Sequence, residues 1–218
     1  MKRIGIIGGL SPESTLYYYQ EFIRLSRENF ESNVYPEMVI YSINFSEFLN
    51  SDWETRLKIL SSAVKSLERA GAELLAIASN TPHKVLPELE KIAESDFVSI
   101  IDAVAERARE IGAERLLLTG TRTTMKEGFY RKELEKSGFE VTIPEEVEEI
   151  NSIIFEDLVF GNLQRKNRLV EIINKYDADA VILGCTELPI AISEGDVKMN
   201  VIDSAREHVR LILRKAIE

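Results

Sequence analysis

Apolar residues along this chain fall into short runs, and between the runs apolar positions recur every three or four residues. The runs predict strands at residues 3–7, 38–43, 73–78, 97–100, 115–119, 139–142, 180–183 and 200–202. Trp53, Leu57, Leu60, Val64 and Leu67 follow helical spacing and predict one buried helix face. Leu16, Tyr19, Ile23 and Phe30 predict a second, and Val104, Ala108 and Ile111 a third. Near-continuous apolar strands are buried on both faces. In a strand–helix alternation this means parallel sheets covered by helices on both sides. The expected fold class is α/β.

The pattern repeats. Placing Ser79 on Cys185, 106 residues later, superposes the runs "LLAIA" and "AVILG" and puts Ala72 and Glu73 on Ala178 and Asp179. The opening run "RIGIIGG" matches "RLLLTGT" at an offset of 112, and a loop insertion accounts for the difference. Two domains are therefore expected, at residues 1–98 and 99–202. The final helix, 203–218, is able to return to either.

Composition narrows the function. The 218 residues carry a net charge of −10 and no Lys/Arg cluster, which argues against a nucleic-acid partner. No run approaches the roughly 18 apolar residues of a membrane span. The basic start "MKRIGIIGG" turns over too soon for a signal peptide. One cysteine forms no internal disulfide and suits a reducing compartment, so a cytoplasmic protein is expected. No metal is expected, because the two histidines and the carboxylates show no ligand spacing.

In open α/β sheets ligands bind beyond the carboxyl ends of strands. Four strand exits carry polar, turn-forming residues: "GGLSPEST" at 8–15, "SNTPH" at 79–83, "TGTRTTM" at 119–125 and "CTELP" at 185–189. The first lacks both the G-x-G-x-x-G spacing and an acidic residue at the end of the second strand, so a nicotinamide cofactor is not expected. Its amides, with Ser11 among them, suit an anion instead. Cys185 stands at a strand end with Thr186 and Glu187 after it and Pro189 in a helix start. A helix N-terminus there favours a thiolate and makes Cys185 a candidate base. Ser79 takes the matching place with a hydroxyl. Asn80 and Thr81 add groups suited to a carboxylate, and His83 is a candidate acid/base beside them. Thr121 and Thr124, with Arg122 between, suggest an anion cradle.

Two such strand ends on opposite sides of one small ligand suit inversion at a carbon, where one group removes a proton and the other returns one. The four motifs "IGIIGGLSPEST", "SNTPH", "GTRTTMKEGFY" and "LGCTELP", in this order, resemble the aspartate/glutamate racemase superfamily, and the aspartate racemase branch most. The resemblance runs from about residue 3 to 203. It implies two Rossmann-like three-layer domains related by pseudo-twofold symmetry, with the active site in the cleft between them. It also implies a homodimer, no pyridoxal phosphate or other cofactor, and a small amino-acid or carboxylate substrate.

The resemblance makes Cys185 and Ser79 the catalytic pair, with Ser79 where relatives usually carry a second cysteine. It assigns Asn80, Thr81 and Thr186 to the substrate's α-carboxylate and amino group and Thr121 and Thr124 to a loop closing the same pocket, and leaves Glu187 as acid/base support. The regions expected to supply a basic group for a distal carboxylate, 42–50 and 155–163, contain no Lys or Arg. Arg56, Arg122 and Arg168 are candidate substitutes. The expected function is a cofactor-independent amino-acid racemase. A one-cysteine decarboxylase or isomerase of the same superfamily and a non-catalytic carboxylate-binding homologue are the alternatives.

Overall fold

Eight parallel strands form two four-stranded sheets in the computed structural model, which describes residues 1–31 and 34–218. The first half runs β1 (Ile4–Gly8), α1 (Pro12–Asn29), β2 (Met38–Ser42), α2 (Phe45–Asn50), α3 (Trp53–Arg69) and β3 (Leu74–Ile77). A 3₁₀ turn, Thr81–Val85, then leads into α4 (Leu86–Glu90) and β4 (Asp96–Phe97). The second half runs α5 (Ile100–Glu110), β5 (Arg115–Gly120), α6 (Arg122–Lys126), α7 (Phe129–Lys136), β6 (Glu140–Thr142) and α8 (Val147–Ser152). It ends with α9 (Lys166–Asn174), β7 (Ala180–Gly184), α10 (Leu188–Ala191), β8 (Asn200–Asp203) and α11 (Ser204–Ile217).

Strand order is β2-β1-β3-β4 in one sheet and β6-β5-β7-β8 in the other, the same winding twice. The register repeats too. Ile4 pairs with Leu74, and Leu116 pairs with Ala180. These partners are offset by 112 and 106 residues, the offsets at which the sequence superposes on itself. The chain divides into Met1–Ile100 with His208–Glu218 as one unit and Ile101–Glu207 as the other. The final helix thus starts in the second unit and ends in the first, where Lys2 N donates to Ala216 O at 2.7 Å.

Each sheet builds its own core. In the first unit Ile7, Leu75 and Ile77 of the sheet meet Leu60, Val64 and Leu67 of α3, all fully buried. Each such side chain contributes about 2 kcal/mol by leaving water. In the second, Leu117, Val181 and Leu183 meet Ile150, Leu169, Ile172 and Ile173 of α8 and α9.

Two expectations need correction. The face of α1 that is buried is not Leu16–Tyr19–Ile23; Leu16 and Tyr19 are 65% and 47% exposed. Ser14, Tyr18, Phe22 and Leu25 face inward instead. Apolar spacing misses this face because its polar members are satisfied: Ser14 is bonded to the Ser11 cap and Tyr18 to His208. The strand expected at 97–100 stops at Phe97, and α5 begins at Ile100, whose amide is taken by a histidine ring rather than by a neighbouring strand. No helix of the described residues is long and apolar enough to cross a membrane.

Candidate active site

All four polar exits lie at the carboxyl ends of their strands. In the second unit β5 and β7 end as a glycine pair, Gly120 beside Gly184. A Cβ on Gly184 would stand 2.5 Å from Thr119 O, and one on Gly120 2.7 Å from Gly184 O. Only glycines let the two backbones close so tightly, and Thr121 and Cys185 are the next residues out.

Cys185 is partly exposed. Its thiol donates to Glu187 Oε2 at 2.9 Å, and the Thr186 hydroxyl donates to the same oxygen at 2.9 Å. Burial, then the adjacent Glu187 charge and its hydrogen bond, push the thiol well above its ordinary range. The expectation of a thiolate favoured by a helix N-terminus is therefore overturned. The helix after Cys185 has only four residues, Leu188–Ala191, so its dipole is slight. A carboxylate sits where that dipole was to act. At rest Cys185 is a proton donor with a base at hydrogen-bonding distance.

Thr121 caps α6: its Oγ1 accepts from Thr124 N at 3.3 Å and lies 3.1 Å from the Thr124 hydroxyl, which is fully buried. Arg122 does not complete an anion cradle, because its guanidinium is bound to Glu148. Arg168 is likewise held by Glu149 at 2.7 and 2.8 Å. Arg165, just past the second of the regions expected to supply a basic group, is bound to Asp157 and Glu156. Arg56 differs. It donates to Phe48 O and Leu49 O, each at 2.8 Å, and stacks on the Phe48 and Trp53 rings at 5.1 and 4.9 Å. Among the described residues no carboxylate pairs with it.

In the first unit the β1 exit holds Gly9 at φ +79°, with Ile43 O 2.4 Å from where a Cβ would be. Thr15 Oγ1 accepts from Gly9 N at 2.7 Å, and Ser11 Oγ accepts from Ser14 N at 3.2 Å. Ser11 is thus the cap of α1, and Thr15 takes one of the amides expected to face an anion.

At the β3 exit Ser79 is partly exposed and Asn80 is buried. Among the described residues no hydrogen bond engages the Ser79 hydroxyl. His83 is 3% exposed, and both its nitrogens are occupied. Nδ1 lies 2.9 Å from Ser79 O, and Nε2 accepts from Ile100 N at 3.1 Å. A carbonyl can only accept and an amide only donate, so His83 is neutral with its proton on Nδ1. Burial lowers its pKa to about 4. The expectation of His83 as an acid/base group gives way to a role in holding the turn.

Glu187, expected as acid/base support, lies against the thiol. The reading missed the Gly120–Gly184 pair and the pairing of Tyr18 with His208. Glycines before each turn were visible, but which two share a register was not. A shallow hollow lined by Asp179, Glu194, Lys198 and Asn200 lies at the amino ends of β7 and β8, away from Cys185. Among the described residues no three His, Cys, Asp or Glu side chains are grouped to hold a metal ion.

A duplicated parallel fold with polar strand exits and a lone thiol on a carboxylate is that of a small-ligand enzyme. The chain belongs to the Asp/Glu/Hydantoin racemase family, which it matches over residues 7–212. An aspartate racemase homologue from Pyrococcus horikoshii OT3 shares its fold with a TM-score of 0.91 and 54% identity, covering 100% of both chains. A putative Asp/Glu racemase from Yersinia pestis gives a TM-score of 0.92 and 33% identity, again over 100% of both. The broad specificity amino-acid racemase RacX of Bacillus subtilis is 26% identical over 93% of this chain and 92% of its own length.

Proposed function

We propose that the protein is a cofactor-independent amino-acid racemase of the aspartate racemase type, with Cys185 the principal acid/base and Ser79 serving the opposite face of the α-carbon. The observation that carries the reading is the Cys185 thiol donating to Glu187 at 2.9 Å. The thiol passes its proton to Glu187 and becomes the thiolate that takes the α-proton, leaving a carbanion beside the substrate's carboxylate. Return of a proton from the same thiol gives exchange without inversion. Return from the Ser79 hydroxyl to the other face gives inversion and leaves an alkoxide to be reprotonated. Serine is a far weaker acid than a thiol, so inversion is the slower outcome. Asn80, Thr81, Thr186, Thr121, Thr124 and Ser11 supply the amides and hydroxyls that hold the substrate's α-carboxylate and amino group. A homodimer in the cytoplasm belongs to this reading, and exposed Leu16, Tyr19, Ile40 and Tyr41 of the first unit give such a dimer apolar surface.

The test is NMR of α-proton exchange in D₂O over a panel of D- and L-amino acids. One enantiomer is expected to lose its α-proton faster than it racemises, and Cys185→Ala to abolish that loss. Equal exchange of both enantiomers, or exchange surviving in Cys185→Ala, contradicts the assignment. Ser79→Cys is expected to raise racemisation. The raised thiol pKa also favours a second reading: a thiol that stays protonated can deliver a proton to one face only, as a decarboxylase or isomerase requires. Substrate decarboxylation without α-proton exchange distinguishes it.

A further inference from the structure

Tyr18, His83 and His208 form a cluster inside the first unit whose polar atoms the proposed chemistry does not use. None is more than 3% exposed. The His83 and His208 rings meet edge to face with centroids 5.8 Å apart, and Tyr18 meets His208 in the same way at 5.7 Å. A buried imidazole among apolar side chains is unfavourable unless its nitrogens are bonded, and a fully bonded buried network fixes one arrangement of the chain.

The bonding here has a direction. His208 Nε2 lies 2.8 Å from Val98 O, so it carries the proton. His208 Nδ1 then accepts from the Tyr18 hydroxyl at 2.9 Å. Two residues past Val98, the Ile100 amide donates to His83 Nε2 at 3.1 Å, and His83 Nδ1–H donates to Ser79 O at 2.9 Å. Residues 98–100 are therefore gripped at one end by His208 and at the other by His83, while Val98 N keeps its place beside the sheet through Leu75 O at 2.8 Å. Tyr18 lies one helical turn after Ser14 on α1, so the same cluster reaches back to the first polar exit. The chain also leaves the first unit after Ile100, which is bonded to the cluster, and re-enters it at His208, which belongs to it.

We propose that His208 is a positioning residue for Ser79. It holds residues 98–100 against His83, and His83 fixes the Ser79 carbonyl and with it the direction of the Ser79 hydroxyl. The inference rests on the racemase reading only in making Ser79 the group at the reacting carbon.

The sequence has two histidines, so ring-¹⁵N histidine labelling reports on each alone. Near pH 7.5, well above an ordinary histidine's ~6.5, two neutral rings of opposite tautomer are expected, with a slowly exchanging His83 imino proton. In His208→Leu that proton is expected to exchange at least ~10-fold faster as the turn loosens. α-Proton exchange of the enantiomer facing Ser79 is expected to fall about 10-fold more than that facing Cys185. His208→Gln can donate to Val98 O and accept from Tyr18, and is expected to restore most of both. Should His208→Leu fail to fold, Tyr18→Phe removes one bond of the same network and is read in the same two ways. A folded variant with an unchanged His83 imino proton, or equal losses on the two enantiomers, overturns the proposal. If the wild-type protein exchanges no α-proton at all, the racemase reading fails, and the imino-proton measurement still decides whether His208 holds the turn.

Discussion

Gly120 and Gly184 are register partners at the carboxyl ends of β5 and β7, so close that a Cβ on Gly184 would stand 2.5 Å from Thr119 O. The obstacle is backbone, which cannot swing aside as a side chain would. Gly184→Ala is therefore expected to cost about 1–3 kcal/mol in urea unfolding. It should also lower Cys185-dependent exchange, because the thiol follows directly on the displaced residue. Unchanged exchange in a folded variant would detach the glycine pair from the site.

After burial, the Glu187 side chain bears most on the thiol: its charge and its hydrogen bond raise the thiol's pKa, while the Glu187 backbone amide lowers it. Glu187→Gln removes the charge and the proton acceptor together. The thiol is expected to titrate at lower pH than in the wild type, followed by thiolate absorbance, which is clean in a protein with one cysteine. Under the proposed mechanism substrate exchange is expected to fall even though more thiolate is present, since Glu187 is there the acceptor of the thiol's proton.

Acid should weaken the first unit in a distinct window. In the unfolded chain a histidine titrates near pH 6.5. Burial holds His83 at about 4 and His208 at about 3 in the fold. Between these limits the unfolded chain binds protons that the folded one excludes. Stability is therefore complete above about pH 6.5 and declines as pH falls, by up to about 1.4 kcal/mol per pH unit for each histidine. Asp179 and Asp196, held at about 2 chiefly by hydrogen bonds from Arg115 and Ser193, act only below the ordinary carboxylate range. Urea midpoints at several pH values between 7.5 and 4.5 check this, and His208→Gln should roughly halve the slope.

The three candidate arginines separate by their partners. Arg122 and Arg168 already hold glutamates. Arg122→Gln and Arg168→Gln are therefore expected to leave the preference between acidic and neutral amino acids unchanged. Arg56→Gln is expected to lower exchange of acidic substrates relative to neutral ones. Parallel rates on aspartate and alanine distinguish the two outcomes.

Much of the fold was legible because parallel strands buried on both faces leave unbroken apolar runs, and the offsets of 106 and 112 reappear as strand register. The contact between Cys185 and Glu187 needs no long-range folding, since the two are two residues apart. The hidden parts depend on distant segments. Whether Arg122 faces a substrate or Glu148 is decided by α8, and the face of α1 is decided by His208, 190 residues from Tyr18. The thiol's protonation is hidden for a related reason: burial, which raises its pKa ahead of the Glu187 charge, depends on packing around Cys185 that the sequence does not show.

The repeated winding has an evolutionary reading. An assembly of two separate copies of one half would carry the same residue at both β3-type strand ends, because one coding position would specify both. Joining the halves in a single chain gives each end its own position to mutate. Ser79 and Cys185 stand at matching strand ends with different side chains, a difference that the single-chain arrangement permits.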